Sequence, residues 1–207
     1  PFFLEGADIL QSPTNAIYTR TITDPAWGAR ITQRQEGADF TLLATRDDGG
    51  GLVLLPGTYG TGVARQDRGS IATVGRVRWQ APGRLSVGLV ATDRSYEQAG
   101  HNRVLGPDVV WWADDANRLR AQFLQSWTTA QPDASGGLAL GPRTDGHAAR
   151  VDWSYSGPAW RQFVAVADSG ARFRADNGFF GQSGYRSVYS ETQRRFLDVG
   201  PFNEISP

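Results

Sequence analysis

The feature that most narrows the fold of this chain is a period-two alternation of apolar and polar residues. It recurs in segments of about ten residues, with little helical spacing between them. In residues 84–92, Leu85, Val87, Leu89 and Ala91 fall on one face, and Ser86, Gly88 and Thr92 on the other beside Val90. Residues 70–80 place Ile71, Val77 and Trp79 with Thr73 and Gly75, opposite Arg76 and Arg78. Residues 117–128 place Leu119, Ala121, Phe123 and Trp127 against Arg118, Arg120, Gln122 and Ser126, with Leu124 out of pattern. Further strands are predicted over 15–20, 27–35, 39–46, 102–112, 160–167 and 184–194. Ala81-Pro82-Gly83 and Ser156-Gly157-Pro158 punctuate the pattern as hairpin turns. The stretches 47–51 and 131–144 read as loops. This predicts an all-β antiparallel meander, read as a single domain over 1–207, and not βαβ units.

Composition bounds the partners. Lys plus Arg and Asp plus Glu are 21 each, and every basic residue is Arg. The formal charge of zero leaves no electrostatic footprint for nucleic acid. Cysteine is absent, which removes disulfides, thiolate metal sites and cysteine nucleophiles together. The absence of Met and an opening at Pro1-Phe2-Phe3 lead to the expectation that the sequence is a fragment of a longer chain.

A soluble sandwich and a membrane barrel both use alternating strands, so the choice turns on what each face meets. Segments of about ten residues suit a tilted membrane strand, against about five or six for ordinary strands. Trp79, Trp111, Trp112, Trp127 and Trp153 fall near predicted strand ends, where an aromatic girdle would lie. The polar faces carry Arg and Gln beside Gly and Ser. These features predict a segment of an outer-membrane β-barrel, with membrane lipid as its partner. Arg76, Arg78, Arg118 and Arg120 are expected on the concave side as lumen-lining candidates. In the competing sandwich, a carbohydrate-binding module, Trp111, Trp112, Trp127 and Trp153 would stack on sugar rings.

Pro1-Phe2-Phe3-Leu4-Glu5-Gly6 followed by Ile17-Tyr18-Thr19-Arg20 resembles the opening of a bacterial family, the domain of unknown function numbered 5916. Asn102-Arg103-Val104-Leu105-Gly106-Pro107-Asp108 and Asn177-Gly178-Phe179-Phe180 resemble later landmarks of that family. The resemblance implies an outer-membrane barrel domain, acting as pore or surface anchor, that usually follows a carbohydrate-binding family-nine-like module. It implies strands beyond Pro207 and no catalytic residues.

The residues themselves point to no catalytic constellation, cofactor or metal. His101 and His147 each sit beside Gly in predicted loops, without ligand spacing. Asp47-Asp48 and Asp114-Asp115 read as solvated turn acids, since neighbours on a strand point apart and cannot face each other across a glycosidic bond. Gly181-Gln182-Ser183-Gly184 lacks the frame of a nucleophile elbow, and Gly60-Thr61-Gly62 lacks that of a phosphate cradle. Glu5 is expected to form an ion pair with Arg20. The function expected is therefore non-enzymatic, with part of a glycan-processing protein as the remaining alternative.

Overall fold

The computed structural model describes residues 7–199 and 202–205. Its framework is a nine-stranded antiparallel sheet. In spatial order the strands are β1 (Pro25–Gln35), β2 (Ala38–Asp47), β5 (Ser70–Ala81), β6 (Leu85–Tyr96), β7 (Gly100–Trp112), β8 (Asn117–Pro132), β9 (Leu138–Ser156), β10 (Trp160–Ser169) and β11 (Tyr185–Arg194). Two hairpins stand apart from it, β3 (Val53–Pro56) with β4 (Thr61–Ala64), and β12 (Phe196–Val199) with β13 (Phe202–Ile205). A short helix, α1 (Ala7–Leu10), and a 3-10 turn at Thr19–Thr21 precede the sheet.

The meander forms where the alternation is clearest. Leu85, Val87, Leu89 and Ala91 share one face of β6, and Gly88, Val90 and Thr92 are buried on the other. Tight turns follow β1, β5, β7 and β9 at one end of the sheet, and Gly37 and Gly83 supply the left-handed backbone that two of them need.

The two faces invert the ordinary arrangement, in which the apolar face is buried. Here the face bearing Leu89, Phe123, Val151 and Val166 is bare, and each of these is at least 45% exposed. The face bearing Thr41, Arg76, Arg94, Asn102, Asp108 and Ser126 is buried. Two stretches of chain cover it, residues 9–18 and residues 173–180. They bring Ala16, Phe173 and Ala175 against Val90, Val104 and Leu124 of the sheet. They also bind each other, the Tyr18 N–H donating to the Asn177 carbonyl at 2.7 Å and the Phe179 N–H to that of Asn15 at 2.9 Å.

Among the described residues, the fully buried arginines and aspartates of this face stand in ion pairs. Arg94 and Asp47, both with fully buried side chains, meet at 2.7 Å. Arg94 also donates to Ser70 Oγ and to the carbonyls of Gly50 and Thr21. Asp47 accepts the N–H groups of Thr23 and Asp24, each at 2.9 Å. Burial pushes the Asp47 carboxyl up, but those N–H bonds and the Arg94 charge outweigh it and hold the group below its ordinary value. Further along, Arg174 Nε donates to Asp176 Oδ1 at 2.7 Å, and Tyr96 Oη to Asp176 Oδ2 at 2.7 Å. Burial first, then the Asp176 charge, lifts the Tyr96 phenol well above its ordinary value. Asn102 closes this network, receiving the Asp176 N–H and donating to the Arg174 carbonyl.

Several expectations are corrected. The sheet is not closed into a barrel: β1 and β11 lie at its two ends, with no pairing between them among the described residues. Open edges in hydrocarbon would leave N–H and C=O groups unsatisfied, so the sheet is not by itself a membrane-crossing wall. The outer-membrane barrel, its transmembrane β-strands, the pore or anchor function and the outer-membrane location fall together on this finding. Residues 15–20 do not form a strand, because their backbone binds the 173–180 stretch. Most of the stretch read as a loop over 131–144 is strand, since β8 runs to Pro132 and β9 starts at Leu138. Asp47 is a buried ion-pair member and not a solvated turn acid. Residues 1–6 of the opening motif, Glu5 among them, lie outside the described residues, as do any strands beyond Pro207.

Replacing Asp47 by Asn leaves Arg94 buried opposite a neutral amide, and should cost about 3–5 kcal/mol in urea unfolding at neutral pH. Because the folded Asp47 pKa is depressed, its contribution is present above the unfolded carboxyl value and is lost as pH falls through the folded one. The gap between wild type and Asp47→Asn should therefore narrow on acidification.

Candidate functional site

Where the tight turns close the strands, the covering stretches stop short and a groove opens on the otherwise buried face. It has a volume of about 810 Å³. Gln11, Ser12 and Pro13 of the amino-terminal stretch bound it, and β5 to β8 supply the wall. A second hollow of about 350 Å³ adjoins it, sharing Trp112, Asp115 and Arg118 and reaching Arg161 and Glu191 on β10 and β11.

Strand alternation places Arg76, Arg78, Arg118 and Arg120 on this one face, and all four line the groove. Three have carboxylate partners. Arg76 is held by Asp108 through two contacts, one of them Nη2 to Oδ1 at 2.8 Å, both side chains being at most 3% exposed. Arg78 meets Asp39 at 2.6 Å, and Arg120 meets Asp152 at 2.7 Å. Arg84 at the rim pairs with Asp115 at 2.6 Å.

Arg118 differs from these. No carboxylate lies within ion-pair distance of it among the described residues, and its buried Nε has no hydrogen-bond partner. Its guanidinium carbon stands 5.1 Å from the centre of the Trp112 ring, a cation–π contact that leaves hydrogen-bonding capacity unspent. Trp112 is 40% exposed, so a flat apolar surface and a cation without a carboxylate meet at the junction of the two hollows.

The other tryptophans do not join them. Trp79 and Trp111 project from the bare face, 53% and 44% exposed, because each is an odd number of residues from a groove position on its strand. Trp127 and Trp153 are half-buried on the same bare face, where Trp153 Nε1 donates to Asn117 Oδ1 at 3.1 Å and its ring stacks on Tyr155. The sugar-stacking set Trp111, Trp112, Trp127 and Trp153 is thus divided between the two faces, with Trp112 alone in the groove.

Acids and histidines outside the groove have local roles. Asp114 accepts the N–H groups of Ala116 and Asn117 and the Asn117 side-chain amide. The Asn117 amide, then those N–H bonds, hold the Asp114 carboxyl below its ordinary value. His101 lies within β7 and His147 within β9, so neither is in the loop expected for it. Burial, then the Arg103 charge, lowers the His101 pKa. His147 Nε2 stands 3.3 Å from Asp168. Among the described residues no three of His, Asp and Glu gather in a way that could hold a metal ion.

Arg118 and Trp112 were each legible as candidates from the alternation, but their conjunction was not. It depends on Asp108 and Asp152 neutralising the neighbouring arginines from other strands.

Comparison with family models, with curated proteins and with solved structures finds no match. This corrects the resemblance to the family of unknown function 5916, for which no family model matches the chain.

The groove wall depends on Gly88. A Cβ there would come within 2.5 Å of Arg76 Nη1 and 2.7 Å of Asp108 Oδ2, atoms fixed in a buried pair. Gly88→Ala should therefore lower stability by about 1–3 kcal/mol in urea unfolding, as overpacking does elsewhere. Gly83→Ala removes a positive-φ turn glycine with nothing within 4 Å of the added carbon, so it tests backbone strain alone.

Proposed function

We propose that the chain is a non-catalytic β-sheet binding module that takes a carbohydrate carrying negative charge, such as a uronate or sulfated sugar unit, in the Arg-lined groove. The observation behind this reading is the Arg118–Trp112 pair, a cation without a carboxylate partner beside an exposed aromatic ring. A sugar ring presents apolar C–H faces that pack on a flat aromatic side chain, and its carboxylate or sulfate would occupy the donors that Arg118 leaves open. Arg76, Arg78, Arg84 and Arg120 are already neutralised, so they shape the groove and attract an anion only weakly. Two adjoining hollows on either side of one aromatic ring suit successive units of an oligosaccharide better than a single compact anion.

Titration calorimetry with uronic-acid oligosaccharides and their neutral counterparts tests the reading. Binding of the acidic series should weaken as salt rises. Arg118→Gln should weaken it by about tenfold or more, the worth of one charge-assisted hydrogen bond. Trp112→Ala should cost about as much for acidic oligomers and leave inorganic sulfate unaffected. Equal affinity of acidic and neutral sugars, or wild-type affinity in Arg118→Gln, would contradict it.

A further inference from the structure

The bare face of the sheet has an ordered chemistry that the groove does not explain. Along its middle runs an apolar band, represented by Leu42, Val77, Leu89, Phe123, Val151 and Val166, all between 38% and 50% exposed. Between its two bounding rows this face carries no Asp, Glu or Arg on any of the nine strands. At the tight-turn end the band is bounded by Trp79, Trp111, Trp153 and Trp160. At the other end it stops at ionic residues, including the Arg46–Glu97, Arg103–Asp93, Arg143–Asp145 and Arg186–Asp168 pairs.

A face of this size is larger than scattered surface apolar residues account for, so it calls for a covering partner. The arrangement argues for one kind. A protein partner, including a second copy, is oriented by hydrogen bonds, roughly one per 100–200 Å² of interface, and the band offers few groups to make them. A lipid surface needs the layered order found here, with a charged row in water, a mainly apolar band free of Asp, Glu and Arg, and amphipathic indole rings at the boundary. From Leu85 to Ala91 the band on β6 is about 20 Å tall at the rise of an antiparallel strand, against about 30 Å for a bilayer's hydrocarbon core. At the two edges of the sheet it thins, with Gln33 beside Ile31 on β1 and Ser190 and Thr192 beside Val188 on β11. We infer that the bare face adsorbs to lipid acyl chains on one side only, the groove on the opposite face staying in water.

The test uses the whole chain with phosphatidylcholine vesicles, some carrying brominated acyl chains. The protein should float with the vesicles, and bromine should quench its tryptophan fluorescence. A Leu89→Asp, Val151→Asp double variant alters only exposed positions. With its fold checked by circular dichroism, it should partition at least about tenfold less per added charge if the site enters hydrocarbon. Arg118→Gln, on the other face, should partition like wild type, which separates failure of this inference from failure of the groove reading. Absence of flotation and quenching would overturn the inference. So would a stable dimer in plain buffer that the double variant dissociates, because a second copy would then be what covers the face.

Discussion

The fold depends on pairing charges that have been taken out of water. Arg94 with Asp47, Arg76 with Asp108, and Arg174 with Asp176 occupy the interior that Leu and Val would fill in an ordinary sheet protein. Desolvating such ions costs several kcal/mol each, and their mutual attraction offsets this only with good geometry and fully used donors. The geometry here meets that condition at Arg94, which contacts Asp47, Ser70, Gly50 and Thr21 together. These contacts join β2, β5 and β6 to the turn ahead of the sheet. Ion pairs of this kind favour one arrangement strongly, because any slip of register leaves a buried charge alone.

The covering stretches follow from the same constraint. A polar sheet face exposed to water would need no cover, yet Arg174, Asp176 and Asn177 lie across it and bond to β6, β7 and β8. Phe173, Ala175 and Ala16 supply the small apolar cluster that these polar contacts frame. Since the stretches end before the tight turns, the same face is interior at one end and groove at the other. In the proposed function, stability and binding thus draw on arginines of the same sheet face. Arg76 is an interior ion; Arg118, from β8 near the same turns, lacks the carboxylate that would make it one.

The strands were legible in the sequence because alternation is local. Residues 84–92 show it within nine positions, and β6 follows. Which face becomes interior was not legible, since Arg76 and Asp108 are 32 residues apart, and Arg94 and Asp47 are 47 apart. Alternation carries no information on such pairings. The stretch at 15–20 illustrates the opposite error: its apolar spacing suggested a strand, but Asn177 and Phe179 take its backbone bonds. The hairpin β3–β4 was missed because its strands are only four residues each and it is fixed by Val53 and Ala64 packing on Tyr96, Ala130 and Leu138. In the groove, the arginines could be read as sharing a face, but which one would lack a partner depended on acids from other strands.

That the polar face is a true interior, closed by residues 9–18 and 173–180, is the claim on which the rest stands. Amide hydrogen exchange on the intact chain measures it directly. The amides of Tyr18, Arg174, Asp176 and Phe179, each donating within the covered face, should be protected to the same level as the central strands β5 to β8. Exchange of these amides orders of magnitude faster than those of β5 to β8 would show that the stretches open independently of the sheet, and would contradict the account.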